Sequence, residues 1–145
     1  MTNTVSTNKD IIKAKKILPG HSLVLCKNEE LIISDKKGIS AIADFIISKK
    51  SLCGFSAADK VIGKAAAILF IKAEIKEVFA EPLSVGGKEI LEKHNIAVSY
   101  NTLTENISNF NKTDICPMEK LVSKTFDIEI GTDLLLKKLN EFKKV

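Results

Sequence analysis

Residues 52–73 read LCGFSAADKVIGKAAAILFIKA, and any sheet this chain builds has to pass through them. The apolar run Leu52–Ala57 has the composition of a buried strand. Asp59 behind it is a helix N-cap residue that opens a helix running to about Ala73. That helix is apolar on most faces, as expected of one packed centrally on a sheet. A further strand over Glu77–Glu81 follows it. Two strands joined by a helix call for a right-handed parallel crossover.

Toward the amino end, Asp10–Leu18 shows helical spacing (Ile11, Ile12, Ala14, Ile17, Leu18) and stops at Pro19-Gly20. Ser22–Lys27 and Leu31–Ser34 read as two strands of a hairpin turning at Asn28-Glu29-Glu30. Ile39, Ile42, Phe45 and Ile46 then mark an amphipathic helix over Gly38–Ser48. Toward the carboxyl end come a helix over Lys88–Lys93, closed by His94-Asn95, and a fifth strand over Ile96–Tyr100. Residues 101–114 are polar and Asn-rich, with Leu103, Ile107 and Phe110 spaced for a short helix. Cys116-Pro117 begins one more helix, and Thr132 or Asp133 a last one. The expected architecture is α/β: a three-layer α/β/α sandwich on a mixed five-stranded sheet with one antiparallel strand. Residues 1–8 are expected to be a disordered tail and 9–145 one domain.

At 145 residues the chain can bury about 68–70% of its unfolded surface without disulfides or metal. Its net charge of +4 is carried by its ends. Setting aside Lys9, Lys13, Lys15, Lys16, Lys137, Lys138, Lys143 and Lys144, with Asp10 and Glu141, leaves 14 lysines against 16 acids. All 22 basic residues are lysine. Without arginine, the usual bidentate reader of phosphate and guanine, sequence-specific nucleic-acid binding is not expected. Three distant cysteines, Cys26, Cys53 and Cys116, suit a reducing cytoplasm better than a disulfide framework. The first two lie in expected strands and should be core. The amino terminus lacks the regions of a signal peptide. The longest apolar run, Ala65–Ile71, is too short to cross a bilayer, so no membrane association is expected.

In open α/β sheets ligands bind beyond the carboxyl ends of the parallel strands, where helix N-termini converge. Three segments should meet there: Ser34–Gly38, Ala58–Lys64 and Asp114–Glu119. Lys60 and Lys64, one turn apart on the expected helix, would share a face beside its positive end and make an anion site. Gly63 between them costs about 1 kcal/mol against Ala within a helix, so it should serve a close approach. This is no P-loop, because Ala58 and Ala65 stand where a glycine and a Ser/Thr are needed. The plain alternative is a capped core helix whose lysines reach water. At the third segment Cys116 falls at the N-cap and Glu119 at N3, a capping box with sulfur in place of hydroxyl. A thiol there feels the helix dipole and gains nucleophilic or redox chemistry; simple burial is the commoner role. The chain has two histidines, His21 and His94, and no C-x-x-C pair, so no metal site is expected.

The string Ala58-Asp59-Lys60-Val61-Ile62-Gly63-Lys64-Ala65-Ala66-Ala67, with Lys37-Gly38-Ile39 and Cys116-Pro117-Met118-Glu119, resembles a small prokaryotic family of unknown function. Its fold is similar to that of cytidine deaminases. The resemblance spans about Ser22–Ser123. Zinc deaminases carry His/Cys-x-Glu and Pro-Cys-x-x-Cys where this chain has Lys37-Gly38-Ile39 and Asp59–Lys64. The resemblance therefore implies a deaminase-like pocket without zinc or its proton-shuttling glutamate. Where the family shows Asn-Arg upstream of Cys-Pro, this chain has Asn109-Phe110-Asn111. The leading expectation is a cytoplasmic binder of a small anionic, nucleotide-like molecule, using Lys37, Gly38, Asp59, Lys60, Gly63 and Lys64. The alternatives are a zinc-independent enzyme with Cys116 as nucleophile, Lys60 or Lys64 stabilising charge and Glu119 or Asp59 in proton transfer, or an interaction module that assembles as a homo-oligomer.

Overall fold

A computed structural model of the chain describes residues 7–107 and 115–143. The elements run α1 (Lys9–Ile17), β1 (Leu23–Lys27), β2 (Glu30–Ser34), α2 (Ser40–Ile47), β3 (Ser56–Asp59), α3 (Lys64–Lys72), β4 (Glu77–Ser84), α4 (Val85–Lys93), β5 (Ala97–Thr104), α5 (Pro117–Val122) and α6 (Ile128–Lys143). The strands form one mixed open sheet in the order β2-β1-β3-β4-β5. β1 is antiparallel to both neighbours, while β3, β4 and β5 run parallel. The hairpin closes with Lys27 opposite Glu30, and Asn28 takes the left-handed conformation (φ 56°) that so tight a turn requires.

Alternation along the strands divides the core between the two faces of the sheet. Val24, Cys26, Ala58 and Phe79 face Ile11 and Ala14 of α1 and Leu18, its C-cap. Leu23, Leu25, Ala57, Val78 and Ala80 face the opposite way, into a larger cluster with Ile42, Ile68, Leu69, Phe70, Leu91 and Leu135 of α2, α3, α4 and α6. Each buried Val, Leu, Ile or Phe among them contributes about 1.5–3 kcal/mol of transfer free energy. Asn8, placed in the tail by the sequence reading, has a structural role. Its Oδ1 caps α1 at Asp10 N (3.0 Å), and its Nδ2 donates to Ser56 Oγ and Glu77 Oε1 (2.9 and 3.1 Å).

Several boundaries differ from the periodic reading, some for tertiary reasons and some through local caps. Leu52 and Phe55 are buried but belong to a turn, so β3 starts at Ser56 and Cys53 is exposed rather than core. Asp59 ends β3; it caps no helix. α3 begins at Lys64, with Gly63 as its N-cap. α4 starts three residues early because Ser84 Oγ accepts Gly87 N (2.9 Å), a cap masked in the sequence by Gly86-Gly87. β5 runs to Thr104 and absorbs Leu103; Ile107 is in a loop, and Phe110 lies outside the described residues. Pro82 sits inside β4, a central strand, yet at its level β3 has already ended. Its carbonyl accepts Ile62 N on that side, so the missing N–H faces a gap in the ladder. α6 begins at Ile128, its first turn capped by Asp127 Oδ1 on Ile130 N (2.9 Å). Gly131, which reads as a helix breaker, lets α6 lie against α3: a methyl there would meet Ile68 Cδ1 at 3.0 Å.

Candidate functional site

Strands β2, β3, β4 and β5 all end at one rim of the sheet, at Ser34, Asp59, Ser84 and Thr104. The segments after β2 and β3 meet Ile107 and the Cys116–Glu119 stretch there, around a cleft of about 240 Å³ between the N-termini of α2 and α3. Its walls are mainly apolar, formed by Ile39, Val61, Ala65, Ala66, Ile107, Met118 and Leu139. Lys37, Gly38, Ser40, Gly63, Cys116 and Glu119 complete them. A more polar hollow of about 390 Å³ adjoins it, lined by Gly20, His21, Ser22, Asp35, Asp59 and Lys60. Lys37, Gly38 and Val61 border both spaces. A third cavity, of about 290 Å³, opens between the ends of β4 and β5 and helix α5, with Lys64, Asn106, Glu119 and Lys120 in its lining.

Glu119 dominates the rim. Its Oε1 accepts Lys64 N (2.8 Å) and its Oε2 accepts Ala65 N (2.7 Å), so a carboxylate from α5 caps α3. The capping box expected around Cys116 is therefore not formed. Cys116 occupies the N-cap position of α5 with no side-chain cap bond, and Glu119 serves another helix. Burial pushes the Glu119 carboxyl above its ordinary range, while the two N–H groups and the Lys64 charge pull it back. Gly63 does serve a close approach, but to Glu119: a methyl at Gly63 would lie 2.5 Å from that carboxylate carbon.

Lys60 and Lys64 do not share a helical face, because Lys60 precedes the helix. Lys60 is exposed in the polar hollow. Lys64 is buried; its Nζ donates to Ser123 O (3.1 Å) and sits 3.9 Å from the centre of the Phe126 ring, a cation–π contact. Burial lowers its amine's pKa. Asp59 is nine-tenths buried at the floor of the polar hollow, with Oδ1 accepting Val61 N (3.2 Å). Desolvation raises its carboxyl to about 7, against the hydrogen bonds from Val61 and Lys60 N–H.

Sequence reasoning missed the Lys64 partners Ser123 and Phe126, which nothing local announces. It also missed the pairing of His21 Nδ1 with Asp35 Oδ1 at 2.8 Å. That pair was recoverable, since a hairpin turning at Asn28-Glu29 brings residues 21 and 35 together at its open end. Among the described residues, no three His, Cys, Asp or Glu side chains are placed to hold one metal ion. Nor is any described helix long and apolar enough to cross a membrane.

Fold and rim together define an α/β protein with an open mixed sheet and a cleft at the carboxyl ends of its parallel strands. The chain belongs to the TM1506 family, domain of unknown function DUF1893, whose family model matches residues 13–139. It is similar to the crystal structure of a DUF1893 family protein (TM1506) from Thermotoga maritima. The two share 20% identity and a TM-score of 0.83 over 95% of each chain, a likeness of fold. A comparison with curated proteins finds no match.

Proposed function

We propose that this protein is a cytoplasmic, zinc-independent member of the cytidine deaminase-like three-layer α/β/α sandwiches that binds a small anionic, nucleotide-like molecule. One observation carries the reading: an apolar cleft and a polar hollow bearing lysines meet along Lys37, Gly38 and Val61 at the ligand-binding rim of the sheet. The flat apolar part of the ligand lies against Ile39, Val61 and Met118, and its anionic part lies against Lys37 and Lys60. Asp59, only partly ionised near neutrality, opposes an anion less than a full carboxylate would. Gly63 lies in the cleft wall and lets Glu119 approach α3, while Lys64 is tied behind it to Ser123 and positions the site rather than touching the ligand. Three free thiols agree with a reducing compartment. Cys116 borders the same cleft, which keeps a nucleophilic thiol as the second reading.

Thermal unfolding against nucleosides, nucleoside monophosphates and sugar phosphates tests this. A ligand at 100 times its Kd adds about 2.7 kcal/mol, a rise of several degrees in Tm. The rise is expected with monophosphates, not with nucleosides, and should vanish in Lys37→Ala/Lys60→Ala. A flat panel, or a rise untouched by that double substitution, would overturn the assignment.

A further inference from the structure

Strand β2 forms one edge of the sheet, bonded to β1 alone. Alternate residues Leu31 and Ile33 point to the same face as α1 and are 38% and 42% exposed. Helix α1 lies over β1, β3 and β4, so it leaves these two side chains in water. Edge strands are ordinarily guarded by an inward charge, a proline or a bulge. Between Leu31 and Ser34 this one has none. Its charges sit at its ends and are opposite in sign: Glu29 and Glu30 at its start, Lys36 and Lys37 after it, with Asp35 turned to His21.

An edge with an acidic start, an apolar middle and a basic end is complementary to itself when run antiparallel. We propose that β2 pairs with β2 of a second copy of this chain about a two-fold axis at Ile32, joining two five-stranded sheets into one. In this register Leu31 of each copy faces Ile33 of the other on the exposed face. Glu30 faces Ser34 and lies diagonal to Lys36, within reach of a long side chain. A tight hairpin turns the backbone groups of Glu30, Ile32 and Ser34 toward β1, so those of Leu31 and Ile33 point outward to the second copy. Glu29 then faces Asp35, an acid already held by His21, whereas a parallel in-register pairing would set Glu30 against Glu30 and Lys36 against Lys36. Glu30 is 3.5 Å from Lys50, and Lys36 is joined to Asp44. Both pairs are exposed and cheap to exchange.

Sedimentation over a dilution series of the full chain reads the association directly. The wild type should be dimeric. Ile33→Lys and Leu31→Lys, both at exposed positions that leave the melting profile intact, should be monomeric. Glu30→Lys should raise the dimer Kd about tenfold or more, because it sets lysine near lysine. The exchange Glu30→Lys/Lys36→Glu should restore wild-type association. A wild type that stays monomeric, a dimer indifferent to Ile33→Lys, or a charge exchange that fails to restore pairing would each overturn the proposal.

Discussion

Asp59→Asn is expected to make the protein more stable above pH 7 and to remove most of a pH dependence that the wild type shows below it. In the folded chain the Asp59 carboxyl titrates at about 7, raised by burial. Unfolded, it returns to about 3.9. The native state thus holds this proton more tightly than the unfolded state, and stability falls as pH rises. The contribution is whole below about pH 4, is lost as pH climbs through 7, and is level beyond. Each pKa unit is worth about 1.4 kcal/mol, so the loss is of the order of 4 kcal/mol. The asparagine amide oxygen can still accept from Val61 N–H without a charge to desolvate. Urea unfolding of both proteins between pH 4 and 8 checks this: the difference curve should be small at pH 4 and favour Asn by a few kcal/mol at pH 8. A difference that does not change with pH would mean that the carboxylate is compensated inside the fold.

The cap that Glu119 provides for α3 should be the other costly thing to remove. Glu119→Ala leaves the Lys64 and Ala65 N–H groups without their partners. A hydrogen bond to a charged acceptor is worth about 1.5–3 kcal/mol, so a loss of about 3 kcal/mol is expected. Gly63→Ala should reach part of the same loss by another route. Its backbone (φ −104°) suits alanine, but the new methyl displaces the carboxylate from those amides. With Glu119 already gone the methyl has nothing to displace, so the double variant should be no less stable than Glu119→Ala alone. Urea unfolding of the four proteins gives the coupling, and simple additivity would show that Gly63 and Glu119 act independently.

These two sites mark where local reading stops. The hairpin at Asn28-Glu29, the central apolar helix and the alternation of strand and helix were all legible, because each depends on spacing along the chain. Asp59 was misassigned because an acid before a helix has the same local pattern whether it caps the helix or ends a buried strand. Only the pairing of Asp59 with Leu23 and Ala80 distinguishes them. The starts of α4 and α6 were hidden by Gly86-Gly87 and Gly131; the latter is present because α3 presses against α6. The rim segments were legible as a set. Lys37, Gly38, Gly63, Cys116 and Glu119 border one cleft, while Asp59 and Lys60 open into its neighbour and Lys64 turns away to Ser123.

Spacing along the chain is enough to make it α/β with four co-directional strands and one antiparallel strand. Apolar periodicity, a tight hairpin and the right-handed crossover leave little else. The partners of Glu119 and Lys64 at the rim, by contrast, follow from tertiary packing. The carboxylate of Glu119 is 54 residues beyond the amide of Ala65 that it caps, and the carbonyl of Ser123 is 59 beyond the amine of Lys64. Such partners are chosen by which helices pack together in three dimensions, and no spacing along the chain encodes them.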